Sequence, residues 1–120
     1  MKKTIIAVDD SKIMRDMMTF TLQRAGYNVL QAENGSDALA LLGDRTADCV
    51  VTDVAMPVMD GIELIKNMRG GKHKDVPIVM MTRSNEELKR QMGRSAGANG
   101  WVDKPFNPER LVAAVAKACA

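Results

Sequence analysis

Acidic, hydroxyl and basic side chains stand at the ends of four separate apolar runs of the sequence. Asp9 and Asp10 follow the first run, Asp53 ends the third, Thr82 ends the fourth and Lys104 follows the fifth. If these runs are parallel strands, their carboxyl ends meet at one edge of a sheet, where open α/β folds bind ligands. We therefore expect the five side chains to share one pocket.

Three carboxylates in one pocket repel one another, so such a site must protonate one of them or recruit a cation. Mg²⁺ suits these ligands, because it prefers oxygen and usually binds one or two carboxylates with water and a phosphate oxygen. Lys104 can act as a point charge for an anion, and the Thr82 hydroxyl can donate to an anion oxygen. An aspartate among these groups is equipped to attack phosphorus and form an acyl phosphate, which makes Asp53 the candidate nucleophile.

Each of these residues also has an ordinary structural explanation. Asp9 and Asp10 could cap a helix and offset its dipole. Asp53 could begin a turn, Thr82 could bond its own backbone, and Lys104 could be solvated. Taken singly, the structural explanation is favoured for each residue, but the occurrence of all five at the same kind of strand end favours a site.

The elements that must position these residues are short β-branched runs alternating with segments of helical periodicity. The predicted strands are Thr4–Val8, Asn28–Ala32, Asp48–Thr52, Val76–Thr82 and Gly100–Val102. The first predicted helix is capped by Asp10 or Ser11 and closed by Gly26, and the second opens at Ser36 with Gly43 after its end. Asp60-Gly61 leads into the third, which Gly70-Gly71 stops; the fourth runs from about Asn85 to Ser95, and Asn107-Pro108 opens the fifth. This alternation predicts an α/β domain with a parallel sheet and right-handed crossovers.

The fourth predicted helix is the least committed to the core. Leu88, Met92 and Ala96 form a narrow apolar stripe on it, and most of its other positions are charged or polar. Most of its surface is therefore open to water or to a partner, and the sequence favours neither.

The composition excludes several classes of function. A length of 120 residues suits one domain, predicted over 1–120. A net charge of +2 without a Lys/Arg cluster, and an aromatic content of 3%, argue against nucleic-acid binding. The apolar run after Lys3 ends at Asp9, too soon for a signal peptide, and no apolar stretch is long enough to span a membrane, so a cytoplasmic location is predicted.

The two cysteines fit that location. Cys49 lies in an apolar strand pattern, and Cys119 lies near the end of the sequence. A disulfide between them would be isolated, so one buried thiol and one free thiol are the favoured interpretation.

The sequence resembles the receiver domain of two-component response regulators along its whole length. The motifs that carry the resemblance are Val8-Asp9-Asp10-Ser11, the run from Val51 to Gly61, Met80-Met81-Thr82, and the run from Gly97 to Phe106. It implies a flavodoxin-like fold, with a five-stranded parallel sheet of order 2-1-3-4-5 and five flanking helices.

The resemblance also implies a role for each residue at the predicted pocket. Asp53 is the phosphoacceptor, which takes a phosphoryl group from a phosphohistidine of a sensor histidine kinase. Asp10, Asp53 and the backbone carbonyl of Ala55 are Mg²⁺ ligands, and Asp9 acts through water. Lys104 contacts a phosphoryl oxygen.

A conformational switch is implied in the same way. Thr82 moves to bond the phosphoryl group, and Trp101 repositions with it. The Lys104-Pro105 bond is cis in the family, although a sequence alone does not reveal the isomer. Pro57 and Gly61 shape the loop after the phosphoacceptor.

This sequence departs from the family pattern at three positions. Arg83 replaces the usual small residue after the threonine, and it could modulate the phosphoryl group, reach a partner or be solvated. Trp101 stands where tyrosine or phenylalanine is commoner in the family; it could be a half-buried core aromatic, but some chemotaxis receivers carry tryptophan at this position. Ala55 offers only its backbone, so no side chain at that position can control an attacking water.

Three functions from different classes compete. A phosphorylation-activated single-domain regulator would signal by binding a protein, since the sequence ends after the fifth helix. The similarity around Gly97–Phe106 favours a monomeric chemotaxis regulator that binds the flagellar motor switch and is reset by a phosphatase. A phosphate sink or phosphorelay shuttle is not distinguished from this regulator by the sequence.

A metal-dependent phosphohydrolase is disfavoured, because Ala55 replaces the second acid that such an enzyme would carry. We predict no enzyme activity beyond assistance to the domain's own phosphorylation and dephosphorylation.

Overall fold

The computed structural model describes residues 2–43, 45–83 and 86–120. Its elements in chain order are β1 (Thr4–Val8), α1 (Lys12–Arg24), β2 (Asn28–Ala32), α2 (Gly35–Leu42), β3 (Cys49–Asp53), α3 (Gly61–Arg69), β4 (Ile78–Arg83), α4 (Glu87–Ala96), β5 (Gly100–Lys104) and α5 (Pro108–Cys119). The strands form one parallel sheet of order β2-β1-β3-β4-β5, which confirms the predicted fold. None of the helices in these ranges is long and apolar enough to cross a membrane.

Alternate residues of β1 enter two separate apolar cores, one on each face of the sheet. Ile5 and Ala7 pack in a cluster with residues of α1 and α5. Ile6 and Val8 pack in a second cluster with residues of α2 and α3. All four side chains are fully buried. The unbroken apolar run in the sequence therefore reflects a strand covered on both faces, as parallel strands are.

Three strands have bounds that differ from the predicted ones. β3 is observed at Cys49–Asp53 and was predicted at Asp48–Thr52. β4 is observed at Ile78–Arg83 and was predicted at Val76–Thr82. β5 is observed at Gly100–Lys104 and was predicted at Gly100–Val102. Backbone pairing does not depend on side-chain polarity, so the ladder continues through the polar residues and pairs Asp53 with Met81 and Arg83 with Lys104. β4 begins later than predicted because Pro77 has no N–H to give to the ladder.

Side-chain caps fix the start of four helices. The N-caps are Ser11 for α1, Asn34 for α2, Asp60 for α3 and Asn107 for α5. α2 starts before the predicted Ser36 because the Asn34 side chain accepts a hydrogen bond from the Asp37 N–H at 2.9 Å. Gly26, predicted to end α1, has a φ of 99° and follows the cap residue Ala25. It thus occupies the left-handed position just beyond the helix.

Helix α4 packs on the sheet through a glycine. Gly93 is its one buried residue, and a Cβ at that position would overlap the Met80 side chain. The predicted apolar stripe is largely outside the core, since Leu88 is 70% exposed and Met92 is 45% exposed. The helix is therefore held loosely by apolar burial, as its sequence suggested. Its predicted start near Asn85 falls outside the described residues.

The loop after β3 is closed by a backbone contact that only glycine permits. The Gly61 N–H donates to the Val54 carbonyl at 2.9 Å. A Cβ on Gly61 would overlap the carbonyl oxygen of Asp53 and lie 3.0 Å from the Cα of Val54. Since the obstacle is backbone, no side-chain rotation can relieve the overlap.

We expect Gly61→Ala to lower the free energy of unfolding by about 1–3 kcal/mol, because the β3–α3 connection must shift to admit the methyl group. Gly100→Ala is the matched control: no heavy atom lies within 4 Å of its added Cβ, so its effect should stay within about 0.5 kcal/mol. Urea denaturation of the two variants measures the difference. Equal stabilities would contradict this account of the loop.

Candidate functional site

The parallel sheet brings polar residues from separate strands to one edge. Asp9 follows β1, Asp53 ends β3 and Lys104 ends β5, so all three lie at the carboxyl side of the sheet. Carboxylate oxygens of Asp9, Asp10 and Asp53 all lie within 4.8 Å of one another. The predicted convergence of these carboxylates is therefore confirmed.

Lys104 joins the two buried carboxylates of this pocket. Its Nζ donates to Asp53 Oδ2 at 2.9 Å and to Asp9 Oδ2 at 3.1 Å. The lysine side chain is only 16% exposed. Burial alone would lower the pKa of Lys104, but its contacts with Asp53 and Asp9 outweigh burial and raise that pKa. Lys104 therefore stays charged and supplies one positive charge against three carboxylates.

Asp9 and Asp10 are adjacent in sequence but differ in environment. Asp9 is fully buried, and its two carboxylate oxygens accept hydrogen bonds from the Ser11 N–H at 2.9 Å and from Lys104. Arg15 also donates to the backbone carbonyl of Asp9 at 2.8 Å. Asp10 is exposed to solvent. The fixed carboxylate is thus Asp9, while Asp10 presents its oxygens to whatever enters the pocket.

Burial and the charge of Lys104 have opposite effects on the pKa of Asp53. Asp53 is 5% exposed. Burial raises the pKa of Asp53 above its usual range, although the hydrogen bond and charge of Lys104 act to lower it and Asp9 acts to raise it. A further cation beside Asp53 would relieve this penalty for burial. The close carboxylates, the exposed Asp10 and the raised pKa of Asp53 together fit a divalent metal ion bound through oxygen.

Thr82 carries an unsatisfied hydroxyl in the next strand. The residue is fully buried, and its Oγ1 has no hydrogen-bond partner among the described residues. It follows Met81, which pairs with Asp53 in the ladder. A buried hydroxyl without a partner is unfavourable and is often found where a ligand is expected. This hydroxyl can therefore donate to an oxygen that arrives beside β4.

Trp101 lies on β5, and two arginines of α4 cover its ring. The guanidinium carbons of Arg94 and Arg90 are 4.4 Å and 5.2 Å from the ring centroid. Arg90 also donates to Asp103 at 2.9 Å and to Glu87 at 3.0 Å. Trp101 remains 37% exposed, which suits a surface residue rather than a core aromatic.

Sequence reasoning missed both arginines. Their spacing of four places Arg90 and Arg94 on one side of α4, and this was the available signal. The sequence does not reveal that this side faces Trp101, because that depends on how Gly93 sets α4 against the sheet. Charged positions on such a helix are otherwise indistinguishable from solvated ones.

The loop after Asp53 contains a strained residue that the sequence did not indicate. Val58 has a φ of 68°, which is unusual for a β-branched residue, and it is 81% exposed. Ala55, in the same loop, is also exposed. The Lys104-Pro105 peptide bond is cis, as the resemblance implied.

Arg83 ends β4 at the surface. Its backbone N–H donates to Glu86 Oε1 at 2.8 Å, and its side chain is exposed. Its suggested influence on the phosphoryl group therefore stays a prediction.

We expect Arg94→Met to shift the fluorescence emission of the protein to longer wavelength, because Trp101 loses the nearer cation over its ring. The sequence has a single tryptophan, so the signal is unambiguous. A stability loss of about 0.5–1 kcal/mol should accompany the shift. Arg24→Met is the control, since Arg24 covers Phe20 instead, at 5.5 Å. An Arg94→Met spectrum identical to that of the parent would contradict the stacking.

Comparison with known proteins relates this site to characterised ones. A family model described as the response regulator receiver domain matches residues 5–116. The phosphate regulon transcriptional regulatory protein PhoB of Pseudomonas aeruginosa is 39% identical over 112 residues. The match covers 92% of this chain and 49% of PhoB, so the chain spans about half the length of that relative.

Two solved structures are similar over almost their whole length. The chemotaxis protein CheY4 of Vibrio cholerae is 41% identical, with a TM-score of 0.91 and coverage of 98% of this chain and 99% of that one. A chain assigned as a response regulator of Chloroflexus aurantiacus is 33% identical, with a TM-score of 0.95 and coverage of 99% and 98%. The family is one of signalling domains phosphorylated on aspartate, and a receiver domain implies a histidine kinase as its partner. This chain belongs to the response regulator receiver domain family.

Proposed function

We propose that Asp53 of this chain accepts a phosphoryl group from a sensor histidine kinase, and that the phosphorylated domain then signals by binding another protein. The observation that carries the proposal is the pair of hydrogen bonds from Lys104 to Asp53 and Asp9 within the carboxylate cluster. Asp53 is buried, contacts the lysine and has a pKa that burial raises. The proposal treats residues 1–120 as a single receiver domain.

Phosphoryl transfer in this pocket forms a bond between an Asp53 carboxylate oxygen and phosphorus while the bond from phosphorus to the donor histidine breaks. Lys104 holds the Asp53 carboxylate in place and stabilises negative charge on the transferring oxygens. Asp53 is only 5% exposed, and the low dielectric of its surroundings strengthens that interaction. The domain thus assists its own phosphorylation. In dephosphorylation a water molecule attacks the phosphorus, the bond from phosphorus to the Asp53 oxygen breaks, and inorganic phosphate leaves, so no free metabolite is turned over.

The proposed metal ligands are Asp10, Asp53 and the Ala55 carbonyl, with Asp9 acting through water. Two observations support this division: Asp10 is exposed, and both oxygens of Asp9 already accept hydrogen bonds from Ser11 and Lys104. When bound, Mg²⁺ neutralises charge on the carboxylates and on the phosphoryl oxygens.

The proposed readout begins at Thr82 and ends at Trp101. The unpartnered Thr82 hydroxyl would gain an acceptor once Asp53 carries a phosphoryl group. β4 and β5 are paired, with Met80 opposite Trp101 and Thr82 opposite Asp103. A shift of Thr82 therefore reaches the Trp101 ring and the two arginines of α4 that cover it. Arg83, adjacent to Thr82, is the proposed modulator of the phosphoryl lifetime.

For the output, we propose a monomeric cytoplasmic regulator of chemotaxis that binds the flagellar motor switch and is reset by a phosphatase. The similarity to CheY4, which extends over almost all of both chains, supports this role. The similarity to PhoB supports a second candidate, in which this domain controls transcription. A phosphate sink or phosphorelay shuttle has the same pocket and differs only in lacking a phosphorylation-dependent partner.

Incubation with acetyl phosphate and Mg²⁺ should add one phosphoryl group per chain, because the pocket supplies the nucleophile and the charges that stabilise transfer. Intact mass spectrometry measures the adduct. Asp53→Asn should abolish it, whereas Asp37→Asn, a change in the first turn of α2, should leave it intact. Removal of Mg²⁺ with a chelator should also prevent it. An adduct of equal yield in Asp53→Asn would refute the assignment.

A motor-switch peptide should bind this protein more tightly when beryllofluoride, an acyl-phosphate mimic, occupies the pocket. Fluorescence anisotropy with a labelled peptide, with and without the mimic, measures the change. Asp53→Asn cannot retain the mimic and serves as the control. The protein used must first be shown to accept a phosphoryl group from acetyl phosphate. If the affinity of such protein for the peptide is the same with and without the mimic, the motor role is excluded. The sink, shuttle or transcriptional alternatives are then favoured.

A further inference from the structure

Two cysteines that are distant in sequence meet at the edge of the sheet opposite the phosphorylation pocket. Cys49 begins β3 and is fully buried, and Cys119 ends α5 and is partly exposed. The Cys119 thiol donates to the carbonyl of Asp48, the residue before Cys49, at 3.6 Å. The Cys49 thiol donates to the Val50 carbonyl at 3.8 Å, and Cys119 packs against the apolar cluster that contains Cys49, so the two side chains are neighbours.

We propose that Cys49 and Cys119 are a thiol modification site, at which a hydroperoxide converts the free dithiol into an intramolecular disulfide. The site is separate from the carboxylate pocket, because Cys49 and Asp53 lie at opposite ends of β3, about 13 Å apart at the rise of a strand. The inference does not depend on phosphorylation of Asp53.

The reaction requires one equivalent of peroxide. The Cys119 thiolate attacks one peroxide oxygen, the O–O bond breaks, and the leaving oxygen takes a proton to become an alcohol or water. The resulting sulfenic acid is then attacked by the sulfur of Cys49, which forms the S–S bond and releases water with the proton of the Cys49 thiol. Two electrons pass from the two thiols to the peroxide.

The environments of the two thiols assign these roles. Cys119 is accessible to a small oxidant, while Cys49 is enclosed by the core. Burial raises the pKa of Cys119, although the nearby charge of Lys3 acts to lower it. Burial raises the pKa of Cys49 far beyond its ordinary range, and the neighbouring Cys119 raises it further. Cys119 is therefore the thiol that ionises first and attacks the oxidant.

Because the pKa of each thiol is raised, the attack of Cys119 on the peroxide is slow at neutral pH. The proximity of the two side chains favours the later attack of Cys49 on the sulfenic acid. A sulfenic acid at Cys119 forms beside its resolving thiol, so disulfide formation needs no diffusion and competes well with further oxidation. The product would tie the last residue of α5 to the first residue of β3. The Lys3 side chain already fixes the end of α5, because its Nζ donates a 2.8 Å hydrogen bond to the Cys119 carbonyl.

The test is treatment of the reduced, folded chain with hydrogen peroxide, followed by denaturation, alkylation with N-ethylmaleimide and intact mass spectrometry. We expect a monomer that has lost two hydrogen atoms and accepts no maleimide, while the untreated protein accepts two. The oxidised form should melt about 5–15 °C higher, because the bond closes a long loop in the unfolded chain. Dithiothreitol should reverse both changes.

Cys119→Ser is the main control, since this position is at the end of the last helix and tolerates the change more readily than the buried Cys49. It should form no intramolecular disulfide and show no rise in melting temperature. Asp53→Asn should form the disulfide as the parent does, which separates this inference from the proposed function.

Three results would overturn the inference. The first is a treated protein that still accepts two maleimides at a peroxide dose that oxidises free glutathione. The second is a disulfide-linked dimer, which would show Cys119 reacting with another molecule. The third is a sulfinic acid at Cys119 with Cys49 still open to alkylation.

Discussion

One lysine between two buried carboxylates is the interaction on which the rest of this structure depends. Lys104 contacts Asp9 and Asp53 from β5, although β4 lies between β5 and β3, and both β3 and β4 lie between β5 and β1. A salt bridge of this kind adds little net stability, because desolvation offsets most of the attraction. Its value lies in position: it holds Asp53 still and leaves the cluster short of positive charge. A pocket with this balance of charge can accept a cation together with an anion.

Two groups near this ion pair, the Thr82 hydroxyl and the Asp53 carboxylate, lack the partners that would offset their burial. The buried Thr82 hydroxyl has no partner in the described part of the chain, and the pKa of Asp53 is raised by burial. A domain of this size can support such costs because both faces of its sheet carry continuous apolar cores. The single weakly buried helix, α4, covers the aromatic ring that would report on the pocket. Stability and responsiveness are thus located in different elements.

The fold could be predicted from the sequence because apolar runs alternate strictly with amphipathic segments, and because parallel strands must align their carboxyl ends. That rule alone brought Asp9, Asp10, Asp53 and Lys104 together in advance. It could not supply contacts that depend on helix orientation, such as the arginines on Trp101, which follow from the close approach of Gly93 to Met80. The meeting of Cys49 with Cys119 also escaped prediction, because it depends on where α5 crosses the far end of β3. The roles carried over from the family stay predictions, as does the role suggested for Arg83, which departs from the family pattern.

Borohydride trapping tests the central claim most directly. Borohydride reduces an acyl phosphate of aspartate to homoserine, so the reaction marks the modified residue permanently. After phosphorylation with acetyl phosphate and Mg²⁺, reduction and peptide mass spectrometry should find homoserine in place of Asp53 and intact aspartate at positions 9 and 10. Homoserine at Asp9 or Asp10 would contradict the assignment of the three carboxylates, as would phosphate incorporation with no homoserine at Asp53.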